Sequence, residues 1–269
     1  MTASRLHYIS WTFKIREADE PDLHTAYRER ERRMRVEQRG SKGKIKAIIT
    51  GVTGMVGEGV LHECLHHPDV EQVLVIGRKP CGIWHPKLKE IVHANLFDVS
   101  PLKKQLTGYN ACFFSLGVSS VGMSEAEYSK ITYDLTVHVA EILAELNPDM
   151  VFCYVTASGT DRTEQGRSMW ARVKGRTENA LLKLPFKRAY MFRPGYIQPT
   201  KGLKNTHRYY AYLSWLYPAL KLLIPAHVTS QKEIGNAMIH AVSRGYESPI
   251  LHCKDIARLA KSDPIENRD

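Results

Sequence analysis

The stretch Ile45-Lys46-Ala47-Ile48-Ile49-Thr50-Gly51-Val52-Thr53-Gly54-Met55-Val56-Gly57 decides the fold of this chain. Its first six residues are mostly β-branched, which predicts a buried strand. Three glycines follow at a spacing of three residues, and the segment after them has helical periodicity. A strand, a glycine-rich turn and a helix in this order predict the first βα unit of a parallel α/β fold.

The remainder of the chain continues this alternation of strands and helices. Predicted strands cover 45–50, 73–76, 91–94, 111–116, 151–156, 188–192 and 250–252. Predicted helices follow the glycine turn and cover 124–146, 169–184 and 230–242. Ser-x-x-Glu capping boxes at Ser124 and Ser230 support two of these helix starts. We therefore expect a Rossmann-type, doubly wound parallel sheet with a small C-terminal helical region that contacts the substrate.

The length and composition predict one large domain with a charged N-terminal extension. The chain has 269 residues, of which 43% are apolar, and this is enough to bury a full core. Residues 1–43 carry a mixed charge run without an apolar stripe, so we expect a solvated helix or a disordered arm there. The dinucleotide-binding domain is expected to cover 44–262, with substrate-cleft helices around 200–245.

The net charge of +10 leaves several partners open. An excess of Lys and Arg suits nucleic acid, an anionic membrane surface or a phosphorylated ligand, and it also suits a plain solvated surface. The sequence shows no helix-turn-helix, RNA-recognition or zinc-finger spacing, so no nucleic-acid partner is expected. The histidines show no spacing typical of metal ligands, so no metal is expected.

The cysteines and the N-terminus favour a cytoplasmic protein. The five cysteines are scattered and form no C-x-x-C pair, which is typical of reduced thiols. The N-terminus lacks the apolar segment of a secretory signal peptide. The most apolar segment, Tyr209–Pro225, is interrupted by Pro218 and Lys221 and is shorter than the ~20 residues of a membrane span. We expect it to form an amphipathic helix.

The glycine turn is predicted to hold the phosphates of a dinucleotide. One glycine allows a tight turn, the next lets the backbone approach a pyrophosphate, and the third lets strand and helix pack closely. The helix N-terminus adds unpaired N–H groups and a partial positive charge. The expected phosphate-binding residues are Gly51, Thr53, Gly54, Met55, Val56 and Gly57.

The end of the second strand indicates which dinucleotide binds. NAD-specific sites carry a carboxylate about twenty residues beyond the last glycine, where this chain has Val75-Ile76-Gly77-Arg78-Lys79 instead. A guanidinium pairs bidentately with a 2′-phosphate and stacks on adenine, so Arg78 favours NADP over NAD. The alternative is that Arg78 is an ordinary surface arginine after a strand. In that case the cofactor could equally be NAD.

These motifs resemble those of the short-chain dehydrogenase/reductase superfamily over residues 44 to about 260. The glycine spacing is similar to that of its extended and atypical branches, which include epimerase/dehydratase-like, NmrA-like and Tat-interacting-protein-like members. The resemblance implies that Asn95 stands in the place of an Asp that contacts adenine. The residues it places near the cofactor are Asn95 and Leu96 at the adenine, Leu116 and Gly117 under the ribose, and Pro194, Gly195 and Ile197 at the nicotinamide.

The same resemblance implies a catalytic Tyr-x-x-x-Lys pair on the helix after the fifth strand, and this chain departs from it. Trp170 stands where the tyrosine is expected, while Lys174 is present one turn later. In the resembling enzymes the lysine binds the nicotinamide ribose and the tyrosine exchanges the substrate proton. An indole N–H does not ionise near neutral pH, so Trp170 is expected only to position or polarise a carbonyl. Thr156 and Ser158 are both candidates for the usual Ser/Thr partner.

Two functions follow from these residues. The first is an NAD(P)-dependent oxidoreductase of the atypical short-chain type, which acts on a carbonyl or an alcohol by hydride transfer. The second is a catalytically silent NADP-binding sensor or scaffold, which the replacement by Trp170 motivates. For the enzyme, Asp161 and Tyr133 are substitute proton donors, although a loop-capping carboxylate and a half-buried helix tyrosine are the simpler interpretations.

The aromatic segment His207–Tyr217 is expected to wall the substrate pocket. In the resembling family this region covers the cofactor cleft and gives substrate selectivity. Clustered Tyr and Trp side chains suit an apolar or aromatic small-molecule substrate. They also suit a homodimer surface or, less well, a membrane-touching face, and these alternatives stay open.

Overall fold

The computed structural model describes residues 43–205 and 217–261. The remaining residues, 1–42, 206–216 and 262–269, lie outside the described part. The expected charged extension and nearly all of the aromatic segment therefore fall outside it, and both interpretations stay predictions. The domain boundaries at 44 and 262 stay predictions as well.

Parallel strands form the centre of the described region. The strands are β1 (Ile45–Thr50), β2 (Val70–Gly77), β3 (Leu88–Val92), β4 (Ala111–Phe114), β5 (Val151–Val155), β6 (Arg188–Arg193), β7 (Tyr196–Gln198), β8 (Val228–Ser230) and β9 (Ile250–His252). Seven of them form one parallel sheet in the order β3-β2-β1-β4-β5-β6-β9, and β7 pairs with β8 in a small second sheet. The chain winds outward from β1 in one direction and from β4 in the other, which confirms the doubly wound α/β prediction.

Helices connect the strands. They are α1 (Met55–His66), α2 (Lys103–Leu106), α3 (Glu125–Ser129), α4 (Leu135–Leu146), α5 (Met169–Leu181), α6 (Tyr217–Leu223), α7 (Gln231–Arg244) and α8 (Cys253–Ala260). Both predicted capping boxes are present, Ser124 with Glu127 before α3 and Ser230 with Glu233 before α7. Of the helix expected over Tyr209–Pro225, only the part from Tyr217 is described. Within the described residues, no helix has the length and apolar character needed to cross a membrane.

The side chains of β1 show that helices cover both faces of the sheet. Ile45, Ala47 and Ile49 belong to one buried cluster that includes α1 and α7, while Ile48 belongs to a second cluster that includes α4. Successive side chains of a strand point to opposite faces of its sheet. The sheet therefore lies between two helical layers, as parallel sheets require. The expected inner face of α1, formed by Val60, Leu61, Cys64 and Leu65, is buried in the first cluster.

Several elements differ from the sequence prediction in their bounds or continuity. The helix expected over 124–146 is divided into α3, a π-helical turn at Lys130–Asp134, and α4. In a π turn each N–H reaches one residue further back, so the local periodicity changes. The third strand, expected over 91–94, begins earlier at Leu88, because its register with β2 starts at the Val73–Leu88 pair.

Candidate functional site

The C-terminal ends of β1, β2 and β4 border an open cleft of about 810 Å3. The order of the strands reverses between β1 and β4, which is where open α/β sheets bind their ligands. The predicted cofactor residues that line the cleft are Gly51, Thr53, Gly54, Arg78, Asn95, Leu96, Leu116 and Gly117. The prediction missed the other lining residues, Val52, Ile76, Gly77, Lys79, Ala94, Phe97, Ser115, Val118, Ile131 and Leu135. Most of these carry no motif, so only the fold brings them to the cleft.

The glycine turn is shaped by contacts that exclude a side chain. Gly51 has a φ of +73°, and a Cβ there would lie 2.6 Å from the backbone of Ser115. A Cβ on Gly57 would lie 2.2 Å from the carbonyl oxygen of Gly51. Gly54 donates its N–H to that same carbonyl at 3.0 Å and forms the N-cap of α1. Strand, turn and helix are therefore packed as closely as glycine permits.

The start of α1 and the end of β4 offer the chemistry that a dinucleotide needs. Gly54 has no side chain to cap α1, and the first N–H groups of a helix, here those of Met55, Val56 and Gly57, have no partner within the helix. Such groups carry a partial positive charge that attracts phosphate. The Ser115 hydroxyl is buried without a hydrogen-bond partner among the described residues. Phosphate and ribose oxygens would supply the missing partners, so the residues present fit a dinucleotide.

Cationic and amide groups lie in the part of the cleft beyond β2. Arg78 and Lys79 are exposed, and none of the ion pairs among the described residues involves either of them. Asn95 Oδ1 accepts the N–H of Phe97 at 3.1 Å, which leaves the Asn95 amide nitrogen able to donate. The Phe97 ring is 39% exposed, and Lys130 Nζ lies 5.9 Å from its centre. Two cations, an amide donor and a flat ring suit an adenosine phosphate.

The predicted catalytic residues lie on α5 and on the loop after β5, and they do not line this cleft. The loop Thr156–Asp161 runs along the first turns of α5. The Asp161 N–H donates to the Ala171 carbonyl at 3.0 Å. A Cβ on Gly175 would lie only 1.7 Å from the Asp161 carbonyl oxygen, so helix and loop touch backbone to backbone.

Trp170 is packed against this loop. A Cβ on Gly159 would lie 3.4 Å from the edge of the Trp170 ring, so the indole packs against the Gly159 backbone. The indole is half-buried, and Lys174 follows one turn later on the same side of α5. The structure therefore places Trp170 against the loop that carries the two candidate hydroxyls, with Lys174 one turn further along α5.

The two candidate hydroxyls have different environments. Thr156 is buried, and its Oγ1 donates to the Phe192 carbonyl of β6 at 3.3 Å. Ser158 is half-buried and donates its N–H to the Pro194 carbonyl at 2.8 Å. The Ser158 hydroxyl makes no hydrogen bond to any other residue that the structure describes, so it is the hydroxyl that remains for a ligand.

Lys174 is half-buried beside the buried side chains of Tyr154 and Glu178. Its Nζ is 5.9 Å from the centre of the Tyr154 ring. Burial lowers the pKa of Lys174 to about 8, and the nearby Glu178 carboxylate opposes this effect. Glu178 is fully buried, and Arg193 donates to both of its oxygens, at 2.9 Å from Nε and 2.5 Å from Nη2. Sequence analysis missed Glu178 and Arg193, although the four-residue spacing of Lys174 and Glu178 is a signal of proximity.

The other candidate groups of this region are engaged in local contacts. Asp161 accepts hydrogen bonds from Thr163 N and Oγ1 at 2.9 and 2.6 Å and from Gly166 N at 2.7 Å, and these bonds lower the pKa of its carboxyl. Tyr133 is half-buried in the π turn, with the guanidinium carbon of Arg176 4.2 Å from its ring centre. The described residues contain no group of three or more His, Cys, Asp or Glu side chains able to hold a metal ion.

The expected nicotinamide-side residues lie between β6 and β8. A Cβ on Gly195 would lie 2.3 Å from the His227 carbonyl oxygen, and the Gly195 N–H donates to Cys253 Sγ at 3.2 Å. Ile197 is buried within β7. Pro194 accepts the Ser158 N–H, so this segment is joined to the loop after β5.

Two buried side chains tie the segment after β7 to the start of α1. Glu58 accepts the backbone N–H groups of Lys204 and Asn205 at 2.8 and 2.7 Å. Gln231 donates to the Met55 carbonyl from the first position of α7. The C-terminal region therefore rests on the same helix end that borders the cleft. Neither residue belongs to a motif, so sequence analysis did not find them.

No protein-family model matches the chain. A mitochondrial Fmp52-1 protein from Aspergillus oryzae is 29% identical over 155 residues, which are 55% of this chain and 64% of that protein. The match thus spans less than two thirds of the relative's length. A mitochondrial Fmp52-1 protein from Scheffersomyces stipitis is 23% identical over 60% of this chain and 73% of its own length.

These names correct one expectation. We expected a cytoplasmic protein, and this is wrong, because the curated relatives are named as mitochondrial proteins. Scattered thiols do not distinguish between the compartments in which cysteines stay reduced.

Several solved structures have the same fold. WbmF of Bordetella bronchiseptica, in complex with NAD+, is 16% identical with a TM-score of 0.56, over 82% of this chain and 78% of its own. An ADP-L-glycero-D-manno-heptose-6-epimerase of Helicobacter pylori is 14% identical, with a TM-score of 0.55 over 82% and 83%. Thermoplasma acidophilum aldohexose dehydrogenase is 10% identical, with a TM-score of 0.57 over 78% and 91%. At these identities the likeness confirms the Rossmann-type fold, and membership of the expected superfamily and of its branch stays a prediction.

Proposed function

We propose that this protein is an NADP-dependent oxidoreductase that interconverts a carbonyl and an alcohol. The observation that carries the proposal is the cleft at the reversal of strand order, where an uncapped helix start and an unpartnered Ser115 hydroxyl meet. The NAD+ in the WbmF complex and the dehydrogenase and epimerase names of other neighbours support the same class of cofactor.

Different residues of the cleft would bind different parts of the cofactor. We assign the pyrophosphate to the glycine turn Gly51–Gly57 and the adenine to the loop of Asn95. Arg78 and Lys79 are the cations available to a 2′-phosphate, and this pair supports NADP over NAD. When bound, the nicotinamide supplies or accepts two electrons and a hydrogen as hydride.

The residues along α5 would act at the other end of the cofactor. Lys174 is the cation available to the nicotinamide ribose, and the Ser158 hydroxyl is available to the substrate oxygen. Trp170 would wall the site as an apolar surface with one N–H donor. Removing the Lys174 amine by Lys174→Ala is expected to weaken NADPH binding at least about tenfold.

We propose an apolar or aromatic small molecule as the substrate. Val118 is 38% exposed in the cleft, and Val121 is 88% exposed in the segment between β4 and α3. An ion pair of 2.6 Å between Glu125 and Arg172 joins the start of α3 to α5, which carries Trp170. Exposed apolar groups around a cofactor cleft favour apolar ligands. WbmG of Bordetella bronchiseptica, a structural neighbour, was crystallised with NAD and UDP. Nucleotide-linked substrates are therefore the class to test together with apolar ones.

We also propose that the protein works in mitochondria. The support is the naming of its curated relatives, which match a little over half of this chain. A fluorescent-protein fusion to the C-terminus, imaged beside a mitochondrial marker, tests this directly. Diffuse cytoplasmic fluorescence would contradict it.

Cofactor binding and turnover test the proposed activity. Calorimetry with NADPH is expected to show saturable binding, and a panel of aldehydes, ketones and nucleotide-linked sugars is expected to include one that consumes NADPH. Ser158→Ala should lower turnover at least tenfold with unchanged NADPH affinity. The matched variant Thr156→Val should instead lower the melting temperature, because its hydroxyl bonds the β6 backbone. A folded protein that binds no NADPH would overturn the proposal.

A cofactor-binding sensor without chemistry is the second candidate. The observation that favours it is Trp170, which fills the tyrosine position and packs on Gly159. Trp170→Tyr separates the two: a dormant enzyme gains turnover, whereas an enzyme with another proton donor does not. A partner interaction that NADPH releases would support the sensor, and partner binding that is insensitive to NADPH would count against it.

A further inference from the structure

We propose that Lys174 is itself the group that gives and takes the substrate proton, in the place of the missing tyrosine. This inference rests on the proposed oxidoreductase function and adds the acid–base residue to it. Its basis is the set of contacts around α5, which engage the neighbouring polar groups and leave the Lys174 amine without a hydrogen-bond partner among the described residues.

The residues closest to the tyrosine position cannot perform this exchange. Trp170 has an N–H that does not ionise near neutral pH. Asp161 holds an ionised carboxylate, because three hydrogen bonds from Thr163 and Gly166 stabilise the charge. The Thr156 hydroxyl is committed to the β6 backbone.

The tyrosines of the region are also unsuited. Burial raises the pKa of Tyr154, which lies beneath Lys174 with 1% of its surface exposed. Burial likewise raises the pKa of Tyr128, which is 2% exposed on α3. Tyr133 is covered by the Arg176 guanidinium. A buried phenol whose charged form is disfavoured does not replace the missing tyrosine.

Lys174 differs from these groups because its charge is not neutralised by a direct partner. It makes no hydrogen bond or ion pair with any described residue, and its Nζ lies over the face of the Tyr154 ring. Glu178 is the carboxylate one turn away, but both of its oxygens are taken by Arg193. The charged group that acts on Lys174 is thus Glu178 on α5, which pairs with Arg193 of β6. The titratable ring in contact with Lys174 is Tyr154 on β5, and Tyr128 of α3 in turn acts on Tyr154.

This arrangement gives an amine that changes protonation near neutral pH. Burial lowers the pKa of Lys174 to about 8, so ammonium and free amine are both populated. In carbonyl reduction the Lys174 ammonium would give its proton to the substrate oxygen, while a bound reduced nicotinamide would supply hydride to the substrate carbon. An alcohol and a neutral amine result, and the amine regains its proton from solvent. In the reverse direction the neutral amine takes the hydroxyl proton as hydride leaves the carbon.

The titration of Lys174 can be measured without any turnover. Nuclear magnetic resonance of protein labelled with 13C and 15N in lysine reports the protonation of each Nζ, and the Lys174→Met spectrum assigns the signal. We expect one lysine to titrate near pH 8, whereas ordinary lysines titrate at about 10.4. A Lys174 signal that titrates with the ordinary lysines would overturn the inference.

Lys174→Arg separates proton exchange from charge. Arginine keeps a positive charge for the ribose but does not give up its proton at accessible pH. We expect its NADPH affinity to stay within about threefold of the parent while turnover falls at least 100-fold. Lys174→Met should lose both. A lysine that only holds the ribose predicts that turnover survives in Lys174→Arg, and turnover within tenfold of the parent would overturn the inference.

The pH dependence and the parent protein complete the test. Reduction should slow as pH rises through 8, and oxidation should accelerate over the same range, because the two directions need opposite forms of the amine. Thermal melts of both variants establish that each is folded. If the parent protein and Lys174→Arg both bind and oxidise NADPH, the proposed function stands and only this inference is overturned. A parent without NADPH turnover removes both.

Discussion

Arg193 and Glu178 form a bidentate ion pair inside the protein, between the end of β6 and the third turn of α5. The two side chains are 11% and 0% exposed. Lys174 precedes Glu178 by one turn, so the pair anchors the helix that carries Lys174 to the strand that leads into Pro194. This buried ion pair therefore joins the two predicted nicotinamide-side segments.

Glu178→Gln is expected to lower the free energy of unfolding by about 3 kcal/mol or more. Removing one partner of a buried pair leaves the Arg193 charge desolvated and unpaired. Urea unfolding at pH 7 measures the loss. The matched control is Glu125→Gln, which breaks the Arg172 pair at a carboxylate whose side chain is 51% exposed. That change should cost less than about 1 kcal/mol, and a similarly small cost for Glu178→Gln would contradict the anchoring role.

Gly51→Ala is expected to abolish NADPH binding and to destabilise the fold more than Gly108→Ala does. Both glycines have positive φ, +73° and +89°, so each alanine adds a backbone strain of roughly 1–2 kcal/mol. A Cβ on Gly51 would also lie 2.6 Å from Ser115, whereas nothing lies within 4 Å at Gly108. Thermal melts and NADPH calorimetry on both variants isolate the effect of that contact. Equal losses of stability would mean that the turn has room for a side chain.

The parts of the fold that the sequence predicts are those decided by local interactions. The bounds of β1 agree at both ends, and the capping box of Ser124 and Glu127 forms as its spacing indicates. The π turn was not predictable, because it depends on packing against α5, where the Thr177 hydroxyl reaches the Thr132 carbonyl at 3.5 Å. Such a contact joins residues far apart in the chain, and no periodicity records it.

The same distinction applies to the candidate site. The glycine turn follows from a motif, but the unpartnered hydroxyl of Ser115 enters the site because β4 pairs with β1. The choice between Thr156 and Ser158 depends on the Phe192 carbonyl of the adjacent β6, which accepts the threonine hydroxyl. Residue types and spacings do not show which of the two hydroxyls is already bonded.

Arg78→Ala is expected to weaken NADPH binding by about one to two decades and NADH binding much less. A charge-assisted contact to a 2′-phosphate contributes roughly 1.5–3 kcal/mol, and NADH lacks that phosphate. Calorimetry with NADPH and NADH gives the two affinities to compare. Lys79→Ala shows how much the neighbouring cation contributes to binding the 2′-phosphate. Lys89→Ala, an exposed position on β3, controls for the loss of one positive charge. Equal losses for the two cofactors would mean that Arg78 stacks on adenine and does not read the phosphate.

Lys174→Met is expected to raise the free energy of unfolding at pH 7, by an amount that shrinks toward pH 10. Burial lowers the folded-state pKa of Lys174 from 10.5 to about 8, while the unfolded chain keeps the ordinary value. Below pH 8 the amine is protonated in both states, so the folded parent carries the full cost of burying the charge. Between about pH 8 and 10.5 the unfolded state binds more protons, and the parent therefore gains stability as pH rises.

Methionine has a similar length and no charge, so the variant lacks this pH dependence. A pKa difference of about 2.5 corresponds to roughly 3 kcal/mol, and the loss of the contact with Tyr154 reduces the expected gain to about 1–3 kcal/mol at pH 7. Urea unfolding at pH 7, 8.5 and 10 provides the measurement, with Lys104→Met at an exposed position of α2 as the control. A gain that is the same at all three pH values would show that the Lys174 amine is not desolvated in the folded protein.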